Sequence, residues 1–216
     1  MKRLSALVVL FFAMNGSAFC EDDSLTKAET PSLEELINRV RSDDRGIASQ
    51  AAGQIDAMGL DGVRAVPDII FASRSKHYWK TDRTFNISRA CIKAGGPMDV
   101  LHSFAKHPDQ NLRNWTYRTL AGIGPAAHEV LPTLINNLRS DQALKQTGAF
   151  QVISRMGPIA KESVPLMIEC FARPTQATAA MTTVISIGPS AVPLLTEALS
   201  HEDPAIRSGS AFCLGR

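Results

Sequence analysis

The chain has 216 residues, with 23 Lys and Arg against 21 Asp and Glu. Loss of residues 1–18, which the next paragraph reads as a cleaved segment, removes Lys2 and Arg3 and leaves 21 basic residues against 21 acidic ones. A chain of zero net charge lacks the Lys and Arg excess that displaces counterions from phosphates, which excludes a general DNA or RNA binder.

Lys2 and Arg3 precede an apolar stretch from Leu4 to Met14, followed by the small residues Gly16, Ser17 and Ala18. That order predicts a secretory signal peptide over 1–18, too short to remain as a spanning helix, with cleavage after Ala18 or Cys20. The expected location is therefore the periplasm or the medium. Cys20 stands where a lipid anchor would be attached, but Phe19 occupies the preceding position, where such signals carry a small residue, so no lipidation is expected. Residues 19–30 are charged and without periodicity and read as a linker.

From residue 31 to 216 one phrase recurs: an apolar residue and Gly, usually Pro, an apolar helix, then Asp leading a second helix. It reads Met58-Gly59, Gly96-Pro97, Ile123-Gly124-Pro125, Met156-Gly157-Pro158 and Ile187-Gly188-Pro189, with anchors 37, 28, 33 and 31 residues apart. A ragged period of that length predicts stacked helix pairs. In the first pair, Leu33, Leu36, Ile37 and Val40 follow Ser32 at helical spacing, and Glu35 completes a capping box. Its partner carries Ile47, Ala51, Ile55 and Met58 on one stripe and closes at Gly59 with a left-handed residue. The later first helices are predicted over 63–73, 98–106, 126–138, 159–172 and 190–199. Their partners are predicted over 84–94, 112–123, 143–156, 176–187 and 205–214. Pro67, Pro132, Pro165 and Pro193 fall inside the first helices, which must kink there or begin there after a looser turn. Asp44, Asp82, Asp109, Asp141 and Asp203 stand ahead of the second helices as caps. Asp109 with Arg113, Asp141 with Lys145 and Asp203 with Arg207 are also acid-to-base pairs four apart.

The stretches GIGPAAHEVLPTLINNL, RMGPIAKESVPLMIECF and SIGPSAVPLLTEALSHEDPAIRSGSAFCLG follow the rhythm I-G-P, V-P-x-L, D-P-x-[VI]-R, a small pair and L-G. In this the region 31–216 resembles HEAT repeats, specifically the short type also found in phycobilin lyases. The resemblance implies an all-α, armadillo-type, right-handed α-solenoid of about six helix-pair repeats, and it implies little about function because the repeated residues pack and cap. The chain ends at Arg216, about two residues short of the closing Ile-Gly, so the last repeat is expected to lack the polar cap of such arrays.

Function is read as protein binding through the concave face of the second helices and an aromatic-basic loop, without catalysis and without a cofactor. His77, Tyr78, Trp79 and Lys80 concentrate aromatic and basic residues in a lengthened second repeat, either as exposed anchors or folded back over the helices beneath. Trp115, Tyr117 and Arg118 are candidates for the inner face. Arg113 matches Arg207 in repeat position and reads as a residue bonding the neighbouring turn. The alternative is an enzyme on the same scaffold, either like a bilin lyase or dependent on a metal. A HEAT-like di-iron hydroxylase family uses His-Glu pairs, which implies His128, Glu129, His201 and Glu202 as ligands. That family looks to use four such pairs, whereas two occur here, with no HExxH and no Cys/His cluster. No G-x-S-x-G, phosphate loop or dinucleotide fingerprint occurs either. Cys91, Cys170 and Cys213 sit in apolar settings and read as free, buried thiols.

Overall fold

The computed structural model describes residues 30–75 and 84–216. The expected signal segment, nearly all of the linker, Asp82 and the stretch from His77 to Lys80 lie outside the described residues. Residues 32–216 form one compact unit. Its helices are α1 (Leu33–Val40) and α2 (Arg45–Ala57), α3 (Val66–Ser75) and α4 (Phe85–Ala94), α5 (Met98–Lys106) and α6 (Gln110–Ile123). They continue with α7 (Leu131–Leu138) and α8 (Ala143–Met156), α9 (Val164–Glu169) and α10 (Ala177–Ile187), α11 (Val192–Ala198) and α12 (Pro204–Leu214). Among the described residues there is no strand, and the fold is all-α.

Ser32 begins α1 with the expected capping box: its hydroxyl accepts from the Glu35 N–H at 3.2 Å, and the Glu35 carboxylate accepts from the Ser32 N–H at 2.8 Å. Asp44 caps α2 by accepting from the N–H groups of Gly46 and Ile47 at 2.7 and 3.0 Å. Asp109 does the same for Asn111 and Leu112, and Asp203 accepts from Ala205. These bonds satisfy N–H groups that a helix start leaves without an intrahelical acceptor. Asp141 does not take this place. Gln142 is the residue at the cap of α8 and makes no side-chain cap, while Ser140 accepts from the Gln142 N–H at 3.2 Å.

Four of the first helices, α3, α7, α9 and α11, begin later than the sequence pattern predicts, while α1 and α5 begin where it places them. Gly124, Gly157 and Gly188 end α6, α8 and α10 with φ of 67°, 62° and 76° and ψ of −130°, −141° and −146°. That is the mirror of the extended region, and a Cβ excludes it. The chain then turns through 3₁₀ segments, Gly59–Ala65, Gly124–Val130, Gly157–Ser163 and Gly188–Ala191, before the α-helix starts. Pro67, Pro132, Pro165 and Pro193 are each the second residue of that helix, where the missing N–H breaks no bond. Of the two outcomes expected at these prolines, the helix begins there after a looser turn.

Packing places the second helices against one another in order, α2 on α4, α4 on α6, α6 on α8, α8 on α10 and α10 on α12. First helices meet as α1 with α3, α5 with α7 and α9 with α11. Ile55, Leu101, Leu120, Leu134, Ile153 and Met167 are fully enclosed between the two layers, and each such side chain contributes about 2 kcal/mol by leaving water. Polar bonds tie one helix pair to the next: Asp56 accepts from Asn86 Nδ2 and the Ile87 N–H at 2.9 and 3.1 Å, and Ser88 meets Thr119 at 2.9 Å. The span Ala177–Ala198 is long and apolar enough to cross a bilayer by composition. Gly188 and Pro189 divide it into α10 and α11, 11 and 7 residues long, each too short to do so.

Candidate functional site

Trp115 and Tyr117 do not line an accessible face. Both lie on α6 with exposures of 5% and 2%, and they are core residues. Trp115 packs edge-on against Phe104, ring centroids 6.4 Å apart. Tyr117 presses its ring onto α8 at Gly148, where a Cβ would stand 2.1 Å from Cδ2. Its hydroxyl donates to Ala105 O at 3.4 Å and accepts from Asn137 Nδ2 at 3.0 Å. Burial raises the Tyr117 pKa, against the lowering effects of the Arg113 charge and the Asn137 bond. Both were read as contacts because their spacing does not reveal that α8 opens a place for Tyr117 with a glycine, or that Phe104 covers Trp115. Arg118 is exposed, and its Nε donates to the Asn114 carbonyl of its own helix.

The His-Glu pairs are not brought together. His128 and Glu129 are exposed in the 3₁₀ segment after α6, and His201 and Glu202 are exposed in the turn between α11 and α12. Among the described residues no group of three or more His, Cys, Asp and Glu is placed to hold a metal. His201 has a turn role that recurs at His107. Nδ1 of His201 accepts from the Asp203 N–H at 3.0 Å, and Nδ1 of His107 accepts from the Asp109 N–H at 3.0 Å. Arg207 Nη1 then donates to the carbonyls of His201 and Glu202, both at 2.7 Å. Arg113 Nη1 donates to those of His107 and Pro108, at 2.8 and 2.6 Å. Arg113 and Arg207 thus match in role as in position, each clamping the turn ahead of its own helix rather than a neighbouring one.

The thiols of Cys91, Cys170 and Cys213 are free and buried. Desolvation raises all three pKa values, Cys91 and Cys213 to about 11. Such thiols stay protonated near neutrality and are poor nucleophiles.

Among the described residues, a groove of about 510 Å³ lies between α9, α11 and the start of α12. Ile168 and Ile206 are buried in its floor and Leu194 is half-buried there, with Glu169, Glu197 and His201 exposed at its rim. The backbone explains the arrangement. Glu169 and Glu197 each stand four residues after the proline in the first turn of their helix, so they hold the same position on two first helices that pack together. The sequence carries this signal as VPLMIE and VPLLTE, a Pro-x-x-x-Glu spacing that reads as helix packing until the two helices are side by side.

No protein-family model matches the chain, and no curated protein matches it by sequence. Similar solved structures include an engineered protein from a structural genomics consortium, 18% identical, covering 86% of this chain and 96% of its own, with a TM-score of 0.48. A second engineered protein is 17% identical over 86% of this chain and 98% of its own, TM-score 0.46. The complex of CpcE and CpcF of phycocyanin lyase from Nostoc sp. PCC7120 is 18% identical over 92% of this chain and 81% of its own, TM-score 0.42.

Proposed function

We propose that the chain is an exported scaffold, a right-handed α-solenoid of about six HEAT-like helix pairs that binds another protein and performs no catalysis of its own. The basic, apolar and small segments of residues 1–18 support export to the periplasm or medium. The observation that carries the binding reading is the groove over Ile168, Leu194 and Ile206, an apolar floor under a charged rim, the layout of a protein contact. Arg118 and the stretch from His77 to Lys80 are further candidate contacts. The test is an affinity pull-down from envelope extract with the chain from Asp22, beside the variants Leu194→Asp and Tyr78→Ala/Trp79→Ala. One protein is expected with the unaltered chain and lost with Leu194→Asp; loss with the second variant as well would add the aromatic-basic loop to the contact. Stoichiometric metal or pigment in the purified chain, with no protein recovered, would overturn the scaffold in favour of an enzyme.

A further inference from the structure

We infer that the groove between α9 and α11 takes a segment of another protein in which a Lys or Arg side chain stands beside an apolar one. This rests on the scaffold reading and names the chemistry of its partner. The floor is apolar through Ile168, Leu194 and Ile206, so it gains by covering an apolar side chain. The rim carries two carboxylates, Glu169 and Glu197, on packed neighbouring helices at the same register.

Neither carboxylate has a hydrogen-bond or ion-pair partner among the described residues. Arg207 gives Nη1 to two turn carbonyls, and Arg173 gives Nη1 to Gln176 Oε1 at 3.4 Å. Two like charges facing one groove repel each other and any acidic ligand, while one cation placed between them is attracted by both. The exposed rim leaves the groove open on one side, which suits a chain segment lying across it. The volume, about 510 Å³, admits a pair of side chains.

The experiment measures binding of three labelled synthetic peptides to the full chain by fluorescence anisotropy. In one Gly-Ser frame they carry Leu-Lys-Leu, Leu-Glu-Leu or Ser-Lys-Ser. Leu-Lys-Leu is expected to bind about tenfold tighter than either of the others, and to weaken as salt screens the rim. The double variant Glu169→Gln/Glu197→Gln is expected to weaken it about tenfold without shifting thermal unfolding, since both residues are exposed and unpaired. Equal binding of Leu-Lys-Leu and either control, no binding of any peptide, or indifference to the double variant overturns the assignment. A homodimer dispersed by the double variant also overturns it, because the groove would then serve a second copy. The scaffold reading fails separately, when the envelope pull-down with the unaltered chain recovers no protein.

Discussion

Replacing Gly148 by Ala tests whether α6 and α8 are locked by Tyr117. On helix propensity alone the change should stabilise, by about 1 kcal/mol. The structure predicts the opposite. A Cβ at position 148 would lie 2.1, 2.4 and 2.8 Å from Cδ2, Cε2 and Cγ of Tyr117, whereas carbon atoms rest at about 3.5–4.0 Å. The ring would have to retreat by more than about 1 Å, and it is enclosed, with its hydroxyl bonded to Asn137 and Ala105. Overpacking costs about 1–3 kcal/mol and a lost buried hydrogen bond about 1 kcal/mol more. Set against the propensity gain, the net expectation is destabilisation by about 2 kcal/mol, or a fall in melting temperature of roughly 4–8 °C for a chain of this size. Circular dichroism followed through thermal and urea unfolding reads it. Tyr117→Ala, destabilising alone, should relieve the clash, so that the double variant is less unstable than the sum by at least about 1 kcal/mol. A Gly148→Ala protein as stable as the parent, or strict additivity with Tyr117→Ala, would refute the locked interface.

Asp56→Ala removes the acceptor shared by Asn86 and the Ile87 N–H; urea unfolding should show a loss of about 2 kcal/mol, and Asp56→Asn a smaller one. Arg113→Met leaves the His107 and Pro108 carbonyls without their donor in a part-buried setting and should cost about 1–3 kcal/mol, more than Arg207→Met in its exposed turn. The thiols make stability depend on alkaline pH. Because burial holds Cys91 and Cys213 at about 11, above the ordinary 9.0, the unfolded chain releases their protons first. Stability should be level with respect to these groups below pH 9 and fall as pH rises toward about 11. In the same proteins, thiol titration near pH 8 should label none of the three cysteines until denaturant is added.

What was legible in the sequence was what a residue does to backbone within a few positions of itself. Ser32 with Glu35 and the caps at Asp44, Asp109 and Asp203 depend on bonds two or three residues long, and each is as the pattern implied. The start of α7, α9 and α11 was only half legible. Proline forbids an interior helical N–H, but the choice between a kink and a fresh start was made by the glycine ahead of it, whose ψ near −140° sends the chain into a 3₁₀ turn. Tyr117 was misread because its burial depends on Gly148, about 30 positions away, and Trp115 because it packs on Phe104 of the preceding helix. Gly148, a glycine inside an apolar helical pattern, was the available sign that a neighbour approaches there.

Repetition separates the two readings of the charged residues. In a chain built from recurring units, a residue type returns when every unit needs it to fold. His107 and His201 return with Asp109 and Asp203 and with Arg113 and Arg207, and the turn geometry accounts for all three: an imidazole accepts the cap N–H, an aspartate caps, an arginine clamps the carbonyls. That assigns His201 a structural duty and leaves Nδ1 engaged. Glu169 and Glu197 also return at one register, yet fold nothing: they are exposed, without a partner among the described residues, and both line the groove over its apolar floor. The same position in the preceding unit is Asn136, so the pairing of charges is confined to the α9–α11 seam. If the two carboxylates were only solvating their helices, converting both to Gln would leave every property of the chain unchanged. Selective loss of affinity for the cationic peptide, at constant melting temperature, is the result that a merely solvated face does not give.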